Sequence, residues 1–152
     1  MDLEKVKERI RGPTVPLITP LKENYEIDFD GLKALSRFAV DNGIREGEAV
    51  LMAVTAAGEC PALTIEERKK AMGAVAEEVG GKVPLVTSAQ DCSLKQVIEL
   101  TKHARDVGYE CVQISPPFYY ETSPEEVVRF YELINEAVGD VGVMIYNTPW
   151  LR

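Results

Sequence analysis

Histidine and paired cysteine are nearly absent from this sequence of 152 residues. Its one histidine, His103, lies in a predicted helix, so a histidine-based catalytic triad and a multi-histidine metal site are both excluded. Cys60, Cys92 and Cys111 are far apart and include no CxxC pair. An odd number of separated cysteines argues against a disulfide framework and a zinc site. We therefore expect no bound metal.

Long apolar runs and clusters of basic residues are also missing. Seventeen basic residues stand against twenty-five acidic ones, which gives a net charge of −8, and the longest basic stretch is 68–70. This balance excludes nucleic acid and anionic membranes as partners. No apolar run reaches the roughly 20 residues that a membrane helix needs, and residues 1–5 carry no apolar targeting segment. We expect a cytoplasmic protein whose residues 1–152 belong to one domain.

Glycine-rich nucleotide motifs are absent too, because neither GxGxxG nor GxxxxGK[ST] follows the first apolar run. What the chain does contain is a short apolar run followed by a longer amphipathic pattern, repeated along its length. Near-continuous apolar runs are typical of strands that are buried on both faces of a parallel sheet. The five predicted strands are 15–19, 49–55, 83–87, 111–115 and 141–146.

Helix starts are marked by a hydroxyl residue that precedes Glu or Gln by three positions. In this capping box, two side chains satisfy the amides of the first helical turn. Three such boxes are predicted, at 64–67, 93–96 and 123–126. Together with the strands, they predict four helices that alternate with five strands.

Alternating strands and helices predict a parallel sheet with helices packed outside it. A doubly wound open sheet and a (β/α)8 barrel both have this pattern, and the missing nucleotide motif favours the barrel. Five strands in about 150 residues match the spacing of a barrel of about 250 residues. The sequence therefore predicts an α/β fold, a (β/α)8 TIM barrel of which this chain supplies the first five strands and four helices.

Polar residues follow all five predicted strands. Hydroxyl groups of Thr19, Thr55, Thr87, Ser115 and Tyr146 stand at these ends. Active sites of barrels are built at the carboxyl ends of the strands and in the loops that follow. We therefore expect a site at this rim, although polar turn residues alone are the simpler alternative.

Several of these segments, in this order and spacing, resemble the dihydrodipicolinate synthase / N-acetylneuraminate lyase family. The resemblance extends from about residue 12 to the end of the chain. Its segments are GPTVPLITP at 12–20, Asp28 with Gly31 and Leu32, Gly58 with Glu59, LTIEER at 63–68, PPFYY at 116–120 and YNTP at 146–149. The resemblance implies a Schiff-base enzyme that acts on pyruvate or a related 2-keto acid without metal or organic cofactor. It also implies a homo-oligomer, a dimer or a tetramer.

The same resemblance assigns roles to two tyrosines. Tyr146, in the YNxP motif, is expected to relay protons, since a phenol both donates and accepts; a barrel-core aromatic is the alternative. Tyr119 is expected to reach a neighbouring subunit's site, with packing at the barrel mouth as the alternative. The family's nucleophilic lysine belongs to the sixth strand, which lies beyond residue 152.

The turn after the second strand departs from the family pattern, Gly-Thr/Ser-Thr-Gly-Glu. Ala56 and Ala57 stand where the family has two hydroxyl residues that bind the keto-acid carboxylate. Their backbone N–H groups can still bind a carboxylate, but the hydroxyl relay is lost. Thr55 and Thr19 are further candidate substrate-binding residues. The altered turn, a longer 43–48 segment and Ser88-Ala-Gln90 argue against dihydrodipicolinate synthase itself and leave open an aldolase, a dehydratase or an uncharacterised member of the family.

No lysine of this chain is placed to act as the nucleophile. Lys22 alone follows the carboxyl end of a strand, and we expect it to be an exposed loop residue. Three origins are compatible with a half barrel: a piece of a longer enzyme, an engineered half, or a short protein that pairs with another chain. We expect the chain alone to be inactive. Two other functions stay open, a non-catalytic protein that binds a small carboxylate and an assembly unit.

Overall fold

The structure is a computed structural model and describes residues 3–147. After an N-terminal helix, five strands alternate with four helices along the chain. In chain order they are α1 (Leu3–Arg9), β1 (Thr14–Pro16), α2 (Phe29–Asp41), β2 (Val50–Ala53), α3 (Ile65–Val79), β3 (Leu85–Ser88), α4 (Leu94–Asp106), β4 (Cys111–Ile114), α5 (Pro124–Val138) and β5 (Gly142–Ile145). Two 3-10 turns, Ala56–Gly58 and Cys60–Ala62, lie between β2 and α3.

The five strands form one parallel sheet in the order β1-β2-β3-β4-β5. Each strand pairs with the next one along the chain, as in the pairs Val15 with Leu51 and Ile114 with Ile145. A doubly wound sheet reverses its strand order at a switch point, whereas a barrel adds each strand beside the last. The uninterrupted order therefore confirms the prediction of five strands and four intervening helices of a (β/α)8 barrel.

The two faces of the sheet have different partners. Leu51 and Leu85 belong to the large core, which also contains buried residues of helices α2 to α5. Val50 and Val86 belong to a smaller cluster, which they form with Val6 of α1. Because successive strand residues point to opposite faces, the helices α2–α5 cover the outer face and α1 covers part of the inner face.

Helix α1 was not predicted from the sequence, and long-range contacts hold it. Val6 is 5% exposed and packs in the inner cluster. Arg9 Nη2 lies 3.1 Å from Glu110 Oε1, and Glu110 Oε2 accepts a hydrogen bond of 2.7 Å from the Leu85 amide. Burial raises the pKa of Glu110, while the Leu85 amide and Arg9 lower it. Helix α1 is therefore bound to the amino-terminal ends of the central strands.

Two of the three predicted capping boxes are present, at Thr64 with Glu67 and at Ser123 with Glu126. The third prediction was wrong, because Ser93 is the N-cap of α4 without a side-chain capping bond. The Ser93 amide donates instead to Asp91 Oδ1, at 2.9 Å. That carboxylate takes the amide to which a capping side chain three residues later would bind.

Candidate active site

The segment that follows β2 begins with backbone strain. Val54 is 2% exposed and has a φ of 53°, a left-handed conformation that is strained for a β-branched residue. Strand β2 stops just before it, at Ala53, two positions before the predicted end at residue 55. Strain of this kind persists only where the surroundings impose it, and it is concentrated at functional sites.

The next residues form a tight turn around one carbonyl. Thr55 O accepts hydrogen bonds from the amides of Gly58, at 2.9 Å, and Cys60, at 3.1 Å. Ala56 and Ala57 lie at the start of this turn and are exposed. The first amides of a helical turn have no acceptor within it, so these two N–H groups are available to a ligand.

The two predicted hydroxyl residues near the turn differ in their contacts. Thr19 is half-buried, and its Oγ1 donates to Gly58 O at 2.7 Å. A Cβ at position 58 would lie 3.0 Å from both Leu17 O and Thr19 Oγ1, which explains the glycine there. Thr55 is 5% exposed, and its buried Oγ1 has no hydrogen-bond partner within the described residues.

Other buried polar atoms lie at the ends of the neighbouring strands. Gln90 Nε2, just beyond the end of β3, and Ser115 Oγ after β4 also have no partner within residues 3–147. A buried donor without a partner costs about 1–3 kcal/mol. Together with Thr55, these atoms make the rim of β2 to β4 polar beneath its surface.

Arg68 is a residue at this rim whose role was not predicted from the sequence. It is 5% exposed and lies on α3. Its guanidinium group donates to the carbonyls of Leu63 and Gln90. The signal in the sequence was its position, because Arg68 precedes the buried residues Met72 and Val75 at helical spacing.

Tyr119 and Tyr120 lie in the loop after β4. Their side chains are 74% and 76% exposed, and their rings meet edge to face with centroids 4.8 Å apart. An edge-to-face pair of this kind limits the orientations of both rings. Tyr119 is therefore available to a partner at this rim.

Tyr146 follows β5 and is half-buried. Its amide donates to Ile114 O at 2.8 Å, which continues the pairing of β5 with β4. Met144 packs against the inner cluster, and side chains two residues apart on a strand share a face. Tyr146 is therefore on the inner face of the sheet. Thr148 and Pro149 of the same motif lie outside the described residues.

The structure thus brings Thr19, Thr55 and the two alanines into one turn region. Tyr119 and Tyr146 lie at the same carboxyl-terminal rim, after β4 and β5.

Lys22 is exposed, and its Nζ lies 4.0 Å from Glu26 Oε2, as expected of a loop lysine. Among residues 3–147, no group of three or more His, Cys, Asp or Glu is arranged to hold a metal ion. No helix within that range is long and apolar enough to cross a membrane.

Comparison with known proteins identifies the family. Residues 9–152 match the model of the dihydrodipicolinate synthetase family. The chain belongs to this family. The resemblance predicted from the segments at the strand ends is therefore confirmed, and so is the barrel fold.

Named relatives and solved structures match nearly all of this chain over about half of their own length. A 4-hydroxy-tetrahydrodipicolinate synthase from Bradyrhizobium diazoefficiens is 36% identical over 143 residues, which are 94% of this chain and 46% of the relative. The crystal structure of YagE, a prophage protein of this family from E. coli K12 in complex with pyruvate, is 26% identical with a TM-score of 0.84 over 92% of this chain and 45% of that one.

A second solved structure has a different name within the family. The N-acetylneuraminate lyase from Mycoplasma synoviae is 26% identical, with a TM-score of 0.82 over 94% of this chain and 47% of that one. The chain therefore spans about half the length of the family members that it matches.

Proposed function

We propose that this chain is the N-terminal half of a class I lyase or aldolase that acts on pyruvate or a related 2-keto acid. The lysine that forms the Schiff base is supplied by residues beyond 152. The observation that carries the proposal is that two features lie at the same carboxyl-terminal rim of the sheet. One is the strained turn after β2, and the other is Tyr146, which follows β5 on the inner face. The pyruvate complex of a family member supports the substrate class.

The turn binds the keto-acid carboxylate. Ala56 and Ala57 are exposed residues at the start of the turn, and a carboxylate can accept hydrogen bonds from their backbone N–H groups without a side-chain donor. Thr55 supplies an unpaired hydroxyl directly before them. Thr19 contributes indirectly, because its hydroxyl is bonded to Gly58 O.

Tyr146 moves protons in this proposal. The lysine amine adds to the keto carbon, the keto oxygen becomes a hydroxyl, and its loss as water leaves the imine. The phenol of Tyr146 donates a proton to the departing hydroxyl and regains one from the nitrogen, which a group that both donates and accepts can do. The same phenol then serves the step in which the carbon–carbon bond is made or broken.

Tyr119 is proposed to act across a subunit contact. Its exposure of 74% in a single chain leaves its hydroxyl free to enter the site of a neighbouring copy in a homo-oligomer.

We also propose a cytoplasmic location, because Cys60, Cys92 and Cys111 are all free, as is usual in a reducing compartment.

The test uses the full-length enzyme, incubated with pyruvate and reduced with borohydride. Mass spectrometry should find a covalent adduct on a lysine beyond residue 152. Tyr146→Phe should lower kcat by about 10²–10⁴-fold, the usual contribution of a general acid–base group. Absence of an adduct with every 2-keto acid, together with full activity of Tyr146→Phe, would overturn the proposal.

Tyr131→Phe is the matched control. The Tyr131 hydroxyl donates to Ile114 O, the same carbonyl that accepts the Tyr146 amide. The control therefore removes a tyrosine hydroxyl that donates to the same strand carbonyl and to which the proposal assigns no step. It should leave kcat within about threefold of the parent value, since the Tyr131 hydroxyl is bonded to a backbone carbonyl and transfers no proton in the proposal.

A second candidate is a family member that binds a small carboxylate without turnover. The methyl groups of Ala56 and Ala57 favour it, because the turn keeps its amides but has no hydroxyl at either position. Calorimetry of the full-length protein with pyruvate distinguishes the two candidates. Micromolar binding without an adduct or turnover would support the non-catalytic protein.

A further inference from the structure

We infer that Arg68 is a positioning residue, which holds the carboxylate-binding turn in place by joining the loop after β2 to the loop after β3. This inference rests on the proposed function, because the turn matters only if it binds substrate. Arg68 itself is not a catalytic residue, since its guanidinium group is bonded to protein carbonyls.

The contacts of Arg68 connect two loops, the one after β2 and the one after β3, which are far apart in the sequence. Arg68 Nε donates to Leu63 O at 3.1 Å, where the loop from β2 ends. Arg68 Nη1 donates to Gln90 O at 2.9 Å, in the loop after β3. The planar guanidinium fixes both directions at once, which the flexible ammonium group of a lysine does not do.

Burial of the Arg68 charge costs folding free energy unless the guanidinium group is paired. Arg68 and Met72, at helical spacing, are 5% and 0% exposed. The carboxylate of Asp91 lies 3.7 Å from Arg68 Nη1 and is 19% exposed, so it offsets part of the cost of burying the charge. Replacement of a buried ion pair by apolar residues is often neutral or stabilising. What arginine supplies here, and an apolar side chain would not, is the pair of hydrogen bonds to the carbonyls of Leu63 and Gln90.

The charge of Arg68 also acts on Cys60, a buried residue in the segment that carries the turn. Burial raises the pKa of the Cys60 thiol, and the charge of Arg68 and the hydroxyl of Ser88 act against that rise. Cys60 is 0% exposed and begins the second 3-10 turn. The charge of Arg68 thus acts on the segment that carries the turn, and its Nε bonds the end of that segment at Leu63.

The turn is held from two opposite sides. On the β1 side, Thr19 Oγ1 donates to Gly58 O at 2.7 Å. On the β3 side, Arg68 holds Leu63 O. The alanine side chains at 56 and 57 carry no polar group, so the positions of their amides depend on the hydrogen bonds within the turn and on these two supports.

Loss of Arg68 would leave two carbonyls without their donor. A buried carbonyl without a partner costs about 1–3 kcal/mol, and the loops would move to regain hydration. The amides of Ala56 and Ala57 would then lose their alignment. A carboxylate contact that is equal in the ground state and the transition state affects KM and leaves kcat nearly unchanged.

The experiment compares Arg68→Lys and Arg68→Met in the full-length enzyme, with Arg129→Met as the control. Arg129 is 56% exposed and pairs with Glu132 and Glu136 on the surface of α5. We expect KM for pyruvate to rise at least tenfold in Arg68→Met and to a smaller extent in Arg68→Lys. In both variants, kcat should stay within threefold of the parent value, and Arg129→Met should change neither parameter.

Hydrogen exchange of the ligand-free protein gives a readout that is independent of turnover. Amides of residues 56–63 should exchange at least tenfold faster in Arg68→Lys, while those of α4 stay protected. Unchanged exchange in 56–63 would overturn the inference, and so would faster exchange over the whole chain with an equal fall in kcat. If Arg68→Met does not fold, Arg68→Lys carries the test. If the parent turns over no 2-keto acid, the proposed function fails, whereas exchange still decides the role of Arg68.

Discussion

The central strands of the sheet and its two flanking strands are packed differently. Every residue of β2 and β3 is buried, whereas the three residues of β1 are exposed or half-buried and only one of the four in β5 is buried. Ile18, just after β1, is 60% exposed, and Ile145 of β5 is 61% exposed. A strand with a neighbour on one side only presents an open edge.

This difference separates the two parts of the candidate site. The turn that we propose to bind the carboxylate follows β2 and is supported by Arg68 of α3 and by Thr19, which follows β1, so its contacts lie within the described residues. Tyr146 follows β5, where the sheet has a neighbour on one side. In the proposed function, this chain therefore supplies the carboxylate contacts, while the surroundings of Tyr146 are completed by whatever pairs with β5.

The largest effect is expected from paired substitutions across β4 and β5. Ile114 and Ile145 are partners in the sheet register, but they are 0% and 61% exposed. Ile114→Ala should lower the free energy of unfolding by about 2–5 kcal/mol through the lost burial and the cavity. Ile145→Ala should change it by less than about 0.5 kcal/mol. Urea unfolding of both variants measures this, and equal losses would contradict the contrast.

A smaller effect is expected where β1 joins β2. Gly12 has a φ of +79°, and a Cβ there would lie 1.9 Å from Glu48 O. Gly12→Ala should therefore cost more than about 1 kcal/mol of unfolding free energy. Gly73→Ala is the control, because no atom lies within 4 Å of its Cβ position in α3, and it should stabilise by about 0.5–1 kcal/mol. A tolerated Gly12→Ala would show that β1 is not held this closely.

A still smaller effect is expected from pH at the opposite end of the sheet. Burial raises the pKa of Glu110 above its ordinary value of 4.5, so the folded state binds its proton more tightly than the unfolded state. The contribution of this group is therefore full below pH 4.5 and is lost as pH rises through the raised pKa. Urea unfolding at several pH values should show the parent losing stability relative to Glu110→Gln over this interval.

Glu77 provides the control of opposite sign. Its hydrogen bond and charge pairing with Lys33 lower the pKa of Glu77, so its contribution is present above pH 4.5 and is lost as pH falls. The parent should thus lose stability relative to Glu77→Gln on acidification. The same direction of change for both pairs would refute the assignment of the Glu110 shift to burial.

The smallest structural effect is expected from thiol labelling. Cys92 is exposed, whereas Cys60 and Cys111 are buried, and burial raises the pKa of Cys111 to about 11. A thiol-specific reagent should react with one cysteine of the native protein, because the thiolate is the reactive form. Cys92→Ser should remove this reaction without loss of stability. Equal labelling of all three cysteines would show that the central strands open readily.

Much of this arrangement was predictable from the sequence because it depends on local patterns. Apolar runs and helical spacing predicted the five strands and the four helices between them. The boxes at Thr64 and Ser123 were predicted because their partners are three residues away. The ends of the strands were less accurate. The left-handed Val54 ends β2 early, and no local pattern favours that conformation for valine.

The sequence by itself determined the order of the elements, the family and the rim at which the candidate residues lie. Each follows from neighbours in the chain or from motifs of a few residues. Only the tertiary structure decided that Thr19 supports Gly58, 39 positions away, and that Arg68 joins Gln90, 22 positions away. The docking of Val6 on the inner face was decided in the same way. Such contacts form between segments that are far apart in the sequence and meet only when the sheet folds. Composition and periodicity are local properties, so they do not show which two distant residues will be in contact.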